Sequence, residues 1–385
     1  MHEKDQENNP AQIVFQAFSV LPDPRTGNRK EHKLFDVIVI AILAFISGAD
    51  HWTEVELFGE EKEEWLRTFL ELPGGIPSHD TFARVFALLS PEAFERAFLT
   101  WVRDIHKLAE GNHVAIDGKT IRRSGDKASG SKPIHMVSAW SSEQGLVLAS
   151  QKVDEKTNEI KAIPELLESL QLKGCTVTID AIGCQKDIVE HIRKQEADYV
   201  IAVKGNQPSL HEDVSLFFKD VKTPFFADTP HEYYKTVEKG HGRIEIRRYW
   251  LSPATEALRP GQDWKDLHSV GMVESERHIN GIVTMERRYY ITSITEQVTP
   301  FAQAVREHWS IENGQHWVLD IAFREDEQRM RIQNAAENAA ILRRMALNLL
   351  KQEKTIKLGI KSKRKLCGWK NEYLLKVLYA GIQQV

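Results

Sequence analysis

Cysteine is scarce in this chain of 385 residues: Cys175, Cys184 and Cys367 are the only three, and none forms a CxxC pair or a zinc spacing. A disulfide scaffold is therefore excluded, and the three read as reduced thiols of a cytoplasmic protein. Long hydrophobic runs are lacking too. The apolar stretch 34–47 (LFDVIVIAILAFIS) falls well short of the ~20 residues a membrane span needs. It also contains Asp36, so it reads as a buried helix. Residues 1–10 are polar and show no secretory leader. Neither sign of charge dominates: 51 Lys and Arg face 55 Asp and Glu, a net charge of −4, so any basic surface must be local. No internal repeat stands out. What is present, 42% hydrophobic and 28% charged residues, is ordinary for a globular chain. At ~100–200 residues per domain the length suits two or three.

Residues 1–12 are expected to be disordered, and 13–110 read as a helical N-terminal domain. It holds the buried helix at 34–47, an acidic helix at 52–72 and a Pro73-Gly74-Gly75 break. Ser78 then caps a helix running through Phe82, Val85, Phe86 and Leu89, suited either to a DNA groove or to packing against 34–47. Pro91 opens another helix, 92–108. Strand patterns follow at 113–117, 134–141 and 146–153, then a helix at 159–171, a strand at 175–180, a helix at 185–196 and a strand at 198–203. This order matches an antiparallel meander extended by parallel strands through helical crossovers. The predicted class is α/β, with a ribonuclease-H-like catalytic core over 111–350. A β-rich insertion at about 229–295 reads as an inserted sheet. Residues 351–385 form a basic tail, either solvated or bound electrostatically to DNA.

Two segments within the core say the same thing twice. His113-Val114-Ala115-Ile116-Asp117-Gly118 and Thr176-Val177-Thr178-Ile179-Asp180 are apolar strands that reach an aspartate, with a glycine close behind at Gly118 and Gly183. Each aspartate has the parity opposite to its apolar pair. If the strands are parallel neighbours, both carboxylates emerge at one sheet edge, where α/β proteins place their chemistry. Hard oxygen ligands there suit Mg²⁺, with Mn²⁺ as a substitute.

A two-metal site needs a further carboxylate, and Glu312 is the best candidate. On a helix His308, Glu312 and His316 fall on one stripe, which Asp320 continues. Trp309 and Trp317 flank the stripe and argue for partial burial. The two histidines stand two turns apart, too far for one Zn²⁺.

The stretches AIDGKTIRRS (115–124), VDEKTNEIKAIPELL (153–167), TIDAIGCQKDI (178–188), ADYVIAVKGNQ (197–207), HGRIEIR (241–247) and HWSIENGQHWVLDIAFRED (308–326) resemble the DDE transposases of bacterial insertion sequences. More narrowly, they resemble the H-repeat-associated subgroup, and GIPSHDTFARVFALL (75–89) resembles the helical domain that precedes its catalytic core. The resemblance spans roughly 15–350. It implies a metal-binding triad of Asp117, Asp180 and Glu312, Mg²⁺ as cofactor and DNA transposition as the activity. The broader superfamily places tyrosine, arginine and lysine seven before, four before and seven after its glutamate. Here those positions hold Val305, His308 and Leu319, so His308 stands where relatives use arginine.

Cations near the same edge are candidate phosphate contacts: Lys119 and Arg122 after the first aspartate, and Lys204, with Asn206 and Gln207, after the strand 198–203. Arg243 and Arg247, beside Tyr249 and Trp250, carry positive charge into the insertion. His308 and His316 complete the expected DNA-contacting set. The expected partner is double-stranded DNA, both terminal inverted repeats and target, with two protein copies in the synaptic complex. Two alternatives compete: a catalytically inactive or domesticated DNA-binding remnant, and a metal-free carboxylate glycosidase. The second leaves the basic residues unexplained.

Overall fold

In the computed structural model the described residues are 16–27, 30–105, 111–126, 130–153, 159–221, 226, 228–240, 242–253, 255–259, 264–295 and 297–380. The segment 1–12 and His241 lie outside them. The apolar run folds as helix α1 (Leu34–Ile46), and every side chain from Val37 to Ile46 is sealed from solvent. Asp36 is tolerated there because its carboxylate accepts the Leu72 N–H at 2.9 Å, although burial raises its pKa. The acidic helix is shorter than expected: α2 (Trp52–Glu61) gives way to a single turn, Glu63–Leu66. Helix α3 (His79–Leu88) starts where Ser78 caps it, the Ser78 Oγ accepting the Thr81 N–H. On its apolar face Phe86 and Phe82 stack on Trp52 of α2, with centroids 4.8 and 6.5 Å away, within the same buried cluster as α1. Helix α4 (Pro91–Ile105) closes the N-terminal region.

A nine-stranded mixed sheet follows, comprising β1 (His113–Thr120), β2 (His135–Ser141), β3 (Leu146–Val153), β4 (Thr176–Ile179), β5 (Asp198–Val203), β6 (Glu232–Gly240), β7 (Arg243–Ser252), β8 (Ser269–Ile279) and β9 (Ile282–Thr292). The spatial order is β3-β2-β1-β4-β5-β9-β8-β7-β6. Strands β1, β4 and β5 run parallel, and the other pairings are antiparallel. Crossovers α5 (Glu159–Glu168) and α6 (Lys186–Lys194) lead into β4 and β5, and α7 (Pro208–Phe217) follows β5. The insertion is not a separate sheet. Its last strand, β9, pairs with β5 from Val200↔Thr292 to Val203↔Tyr289, so the core sheet runs unbroken into it.

Helix α8 (Val298–Ile311) leads through a π-helical turn, Glu312–His316, into α9 (Trp317–Phe323). Helix α10 (Ala335–Gln352) is buried along most of its length and packs on α1. The expected basic tail is folded: α11 (Ile360–Trp369) and α12 (Asn371–Ala380) return to the core. Lys363 is buried, donating to the Leu350 carbonyl and pairing with Glu353 at 3.2 Å. Arg364 is buried too, donating to the carbonyls of Phe45 and Ala49 and to Asp50. Backbone carbonyls and the carboxylates of Glu353 and Asp50 hold these two cations as structural ties, so they are not free for a polyanion.

Candidate active site

Parallel pairing of β1 with β4 runs from His113↔Thr176 to Ile116↔Ile179, so Asp117 and Asp180 each lie one residue past the last pair. Strand β4 ends there, and Asp180 caps the short turn Ala181–Gly183 by accepting the Ile182 N–H at 3.0 Å. Strand β1 continues to Thr120 because β2 still pairs with it. The nearby glycines are steric necessities. A Cβ at Gly118 would stand 2.4 Å from His135 Nε2 and 2.6 Å from Glu159 Oε1, and one at Gly183 would stand 2.3 Å from Ile179 Cγ2.

Glu312 arrives from the other side, as the first residue of the π turn. Such turns carry an extra residue and recur at functional sites. This one fits because Gly314 leaves room for an indole: a Cβ there would meet Trp140 Cζ2 at 2.6 Å. The predicted stripe does face the sheet. His308 Nδ1 lies 3.1 Å from Thr178 Oγ1, His316 Nδ1 lies 3.6 Å from Asp117 Oδ2, and Asp320 Oδ1 lies 2.7 Å from Lys119 Nζ.

Asp117, Asp180 and Glu312 line one cavity of about 220 Å³, together with Thr178, Lys204 and His308. Burial pushes the Asp117 carboxyl up to about 7, against the Gly118 N–H it accepts at 2.8 Å; the charges of Asp180, Glu312 and Glu159 add to the rise. Among the described residues, no three His, Cys, Asp or Glu side chains stand together as a metal-binding group in their present rotamers. The donor set nonetheless fits a hard divalent cation. All three side chains offer oxygen donors, and a cation between them would offset both the burial and the mutual repulsion of the carboxylates.

Of the expected DNA-contacting residues, Lys204 is exposed and lines this cavity, and Arg122 is exposed beside Asp326. Several others are engaged elsewhere. Lys119 is buried among Asp320, Glu325 and Asp326, at 2.7, 3.2 and 3.2 Å, and is not a surface cation. The histidines do not offer positive charge either: burial lowers His308 to about 4 and His316 to about 3, so both are neutral supports between helix and sheet. Asn206 and Gln207 donate to the carbonyls of Ala181 and Cys184, bracing the turn that Asp180 caps. Arg243 and Arg247 lie away from the triad, paired with Glu245. Trp317 is 61% exposed, contrary to the burial expected of it.

Residues that the sequence did not single out also line the cavity: Glu286, Arg287, Arg288, Tyr289 and Tyr290 of β9, and His211 of α7. Arg288 stacks on Trp309, its guanidinium 4.7 Å from the ring centroid. The adjacent arginines at 287 and 288 were the only hint of this in the sequence. Their approach to the triad depends on β9 pairing with β5.

Residues 109–349 match the family described as Transposase DDE domain, and 15–102 match its DDE_Tnp_1-associated region. The chain belongs to the DDE transposase family. It is 42% identical over 371 residues to "Putative transposase YncI" of Escherichia coli O157:H7, covering 95% of this chain and 94% of that one. It is 40% identical over 372 residues to "H repeat-associated putative transposase YhhI" of Escherichia coli K12, covering 95% and 97%. Among solved structures, a piggyBac transposase synaptic complex with hairpin DNA aligns with 97% of this chain and 78% of that chain. The identity is 11% and the TM-score 0.40, too loose for details to be carried over. As a DDE transposase the chain has a helical N-terminal region and a mixed α/β sheet domain. No helix among its described residues is long and apolar enough to cross a membrane.

Proposed function

We propose that the protein cleaves DNA at the ends of an insertion sequence and transfers the freed 3′-OH into target DNA, using divalent metal held by Asp117, Asp180 and Glu312. The observation that carries this reading is the lining of one cavity by three carboxylates far apart in the sequence. The strand order β3-β2-β1-β4-β5, with β1, β4 and β5 parallel, supports a ribonuclease-H-like core within the larger sheet.

The three carboxylates would hold Mg²⁺ as a pair of ions, with Mn²⁺ as substitute. Bound cations of this kind activate the attacking water and offset charge on the leaving 3′ oxygen. The protein's own groups keep the cradle in place. His308 ties the Glu312 helix to β4 through Thr178, and Asn206 and Gln207 hold the Asp180 turn. Lys204, at the rim, would fix a phosphate without reading sequence. The substrates would be terminal inverted repeats and target duplex in a bacterial cytoplasm, with two copies joining the two ends.

The test is to sequence the DNA on either side of the gene for short inverted repeats and to assay cleavage of a duplex carrying them. Mg²⁺-dependent nicking at the repeat boundary, abolished by Asp117→Ala with DNA binding retained, is the expected result. Binding without cleavage by the unmodified protein would favour the inactive remnant instead.

A further inference from the structure

Beside the carboxylate cavity lies a second one, of about 180 Å³, floored by β7, β8 and β9 and walled by α8. The two share Glu286, Arg288, Tyr290, Val305 and Trp309, so they form one continuous groove. Strand alternation places Arg243, Glu245 and Arg247 on the groove face of β7, with Arg277 paired opposite Glu245 on β8. All three guanidiniums converge on that one carboxylate. Arg243 Nε and Arg277 Nε each lie 3.1 Å from Glu245 Oε1, and Arg247 Nη2 donates to Oε2. Arg247 also reaches Glu238 of β6, at 3.2 Å, and Arg306 of α8 donates to the same Glu238 at 3.0 Å.

Four arginines thus share two carboxylates. The other acids lining the cavity are already matched: Glu286 pairs with Arg288, and Glu276 pairs with Arg248 and His278. Glu245 is buried and Arg247 largely so, and that one pair offsets the cost of burying the carboxylate; the other two arginines add little. Half-exposed ion pairs contribute only ~0–1 kcal/mol, and Arg243 and Arg277 are about half exposed. A guanidinium has five N–H donors in a planar fork, so three of them on one carboxylate leave most donors for another anion. The fork suits phosphate as well as it suits carboxylate.

Resting on the proposed DNA-processing function, we propose that Glu245 is a built-in stand-in for a DNA phosphate. The duplex next to the scissile bond runs along this groove, and its backbone displaces the Glu245 carboxylate from Arg243, Arg247 and Arg277. The carboxylate keeps the arginines ordered and spaced while no DNA is bound. It also weakens binding, because each phosphate has to compete with it.

The test uses the full chain, a duplex spanning an element end, and EDTA so that no cleavage occurs. Binding is measured by fluorescence anisotropy across a salt series for the unmodified protein, Glu245→Gln and Arg277→Gln, with melting curves to confirm folding. Glu245→Gln is expected to tighten low-salt binding by ~3–10-fold and to steepen log K against log salt by about 0.9, the release of roughly one further counterion. Arg277→Gln is expected to weaken binding and flatten the slope by about the same amount. Unchanged affinity and slope in a folded Glu245→Gln would overturn the proposal. Should that variant fail to fold, an unchanged slope for Arg277→Gln would overturn it equally. Absence of Mg²⁺-dependent cleavage alongside shifted binding would remove the catalytic reading and leave the cradle standing.

Discussion

Two clusters in which cations share carboxylates flank the helix that carries Glu312, and they differ in nearly every physical respect except composition. Behind the helix, Glu325 is fully buried, bound to fully buried Arg344 at 2.9 Å and to Lys119 at 3.2 Å, with Asp320 and Asp326 closing the shell. In front of it, Glu245, itself buried, gathers the largely buried Arg247 and the half-exposed Arg243 and Arg277. Burial decides what each can do. Taking charges out of water is costly, so the rear cluster holds only while every partner is present. It pins β1 to α9 at Lys119, two residues from Asp117. In the front cluster Arg243 and Arg277 are half exposed, so these two can exchange the Glu245 carboxylate for water or another anion. A lysine beside a candidate metal ligand is therefore a structural tie here, and the phosphate contacts proposed above fall to arginines of β7 and β8.

The comparison can be broken most forcefully at the triad between the clusters. Asp180→Asn is expected to reduce end cleavage by more than about 100-fold, since groups that merely support metal ligands already cost 10–100-fold when removed. A gel assay with a labelled end duplex reads this, and near-normal cleavage would take Asp180 out of the site.

Stability separates the clusters next. Arg344→Met removes one of the two cations bound to buried Glu325, leaving Lys119 alone, and is expected to cost about 3 kcal/mol in urea unfolding. The surface change Arg277→Gln is expected to cost no more than about 1 kcal/mol. Equal losses would erase the distinction drawn here.

A third effect concerns acid. Glu325 is held down to about 2: burial works against this, but the charges of Arg344 and Lys119 prevail. Its folded pKa lies below the ordinary glutamate value, so its contribution to stability is present above about pH 4.5 and is lost as pH falls toward 2. Arg344→Met should flatten that acid limb of the stability curve. A limb that keeps its slope would place the titrating group elsewhere.

The smallest effect is expected at Lys204, where Lys204→Ala should lower DNA affinity evenly across sequences and flatten the salt slope by about 0.9. Sequence-dependent loss would mean that Lys204 reads bases.

Much of the candidate site's geometry was legible because its signals are local. Period-2 alternation placed Asp117 and Asp180 on matching positions, and a helical stripe put Glu312 toward the sheet. The extra residue of the π turn left no trace in that stripe, because Gly314 records it only through contact with Trp140. The role of Lys119 was hidden for a similar reason: its partners Glu325 and Asp326 come from a turn some two hundred positions away. Continuity of the sheet depends on β5 meeting β9, which no periodicity in either strand announces. The lysine-rich C-terminal segment misled because Lys363 and Arg364 are held by backbone carbonyls, which composition does not reveal.

The most direct measurement is a Mn²⁺ titration followed by electron paramagnetic resonance, on the unmodified protein and on Asp117→Asn, at pH 6 and pH 8. A metal bound there would displace the proton that burial and neighbouring carboxylates hold on Asp117 near pH 7, so binding is predicted to be about tenfold tighter at pH 8. Asp117→Asn should lose both the affinity and its pH dependence. Mn²⁺ binding that is equal in the two proteins and indifferent to pH would contradict a metal site built on Asp117, Asp180 and Glu312.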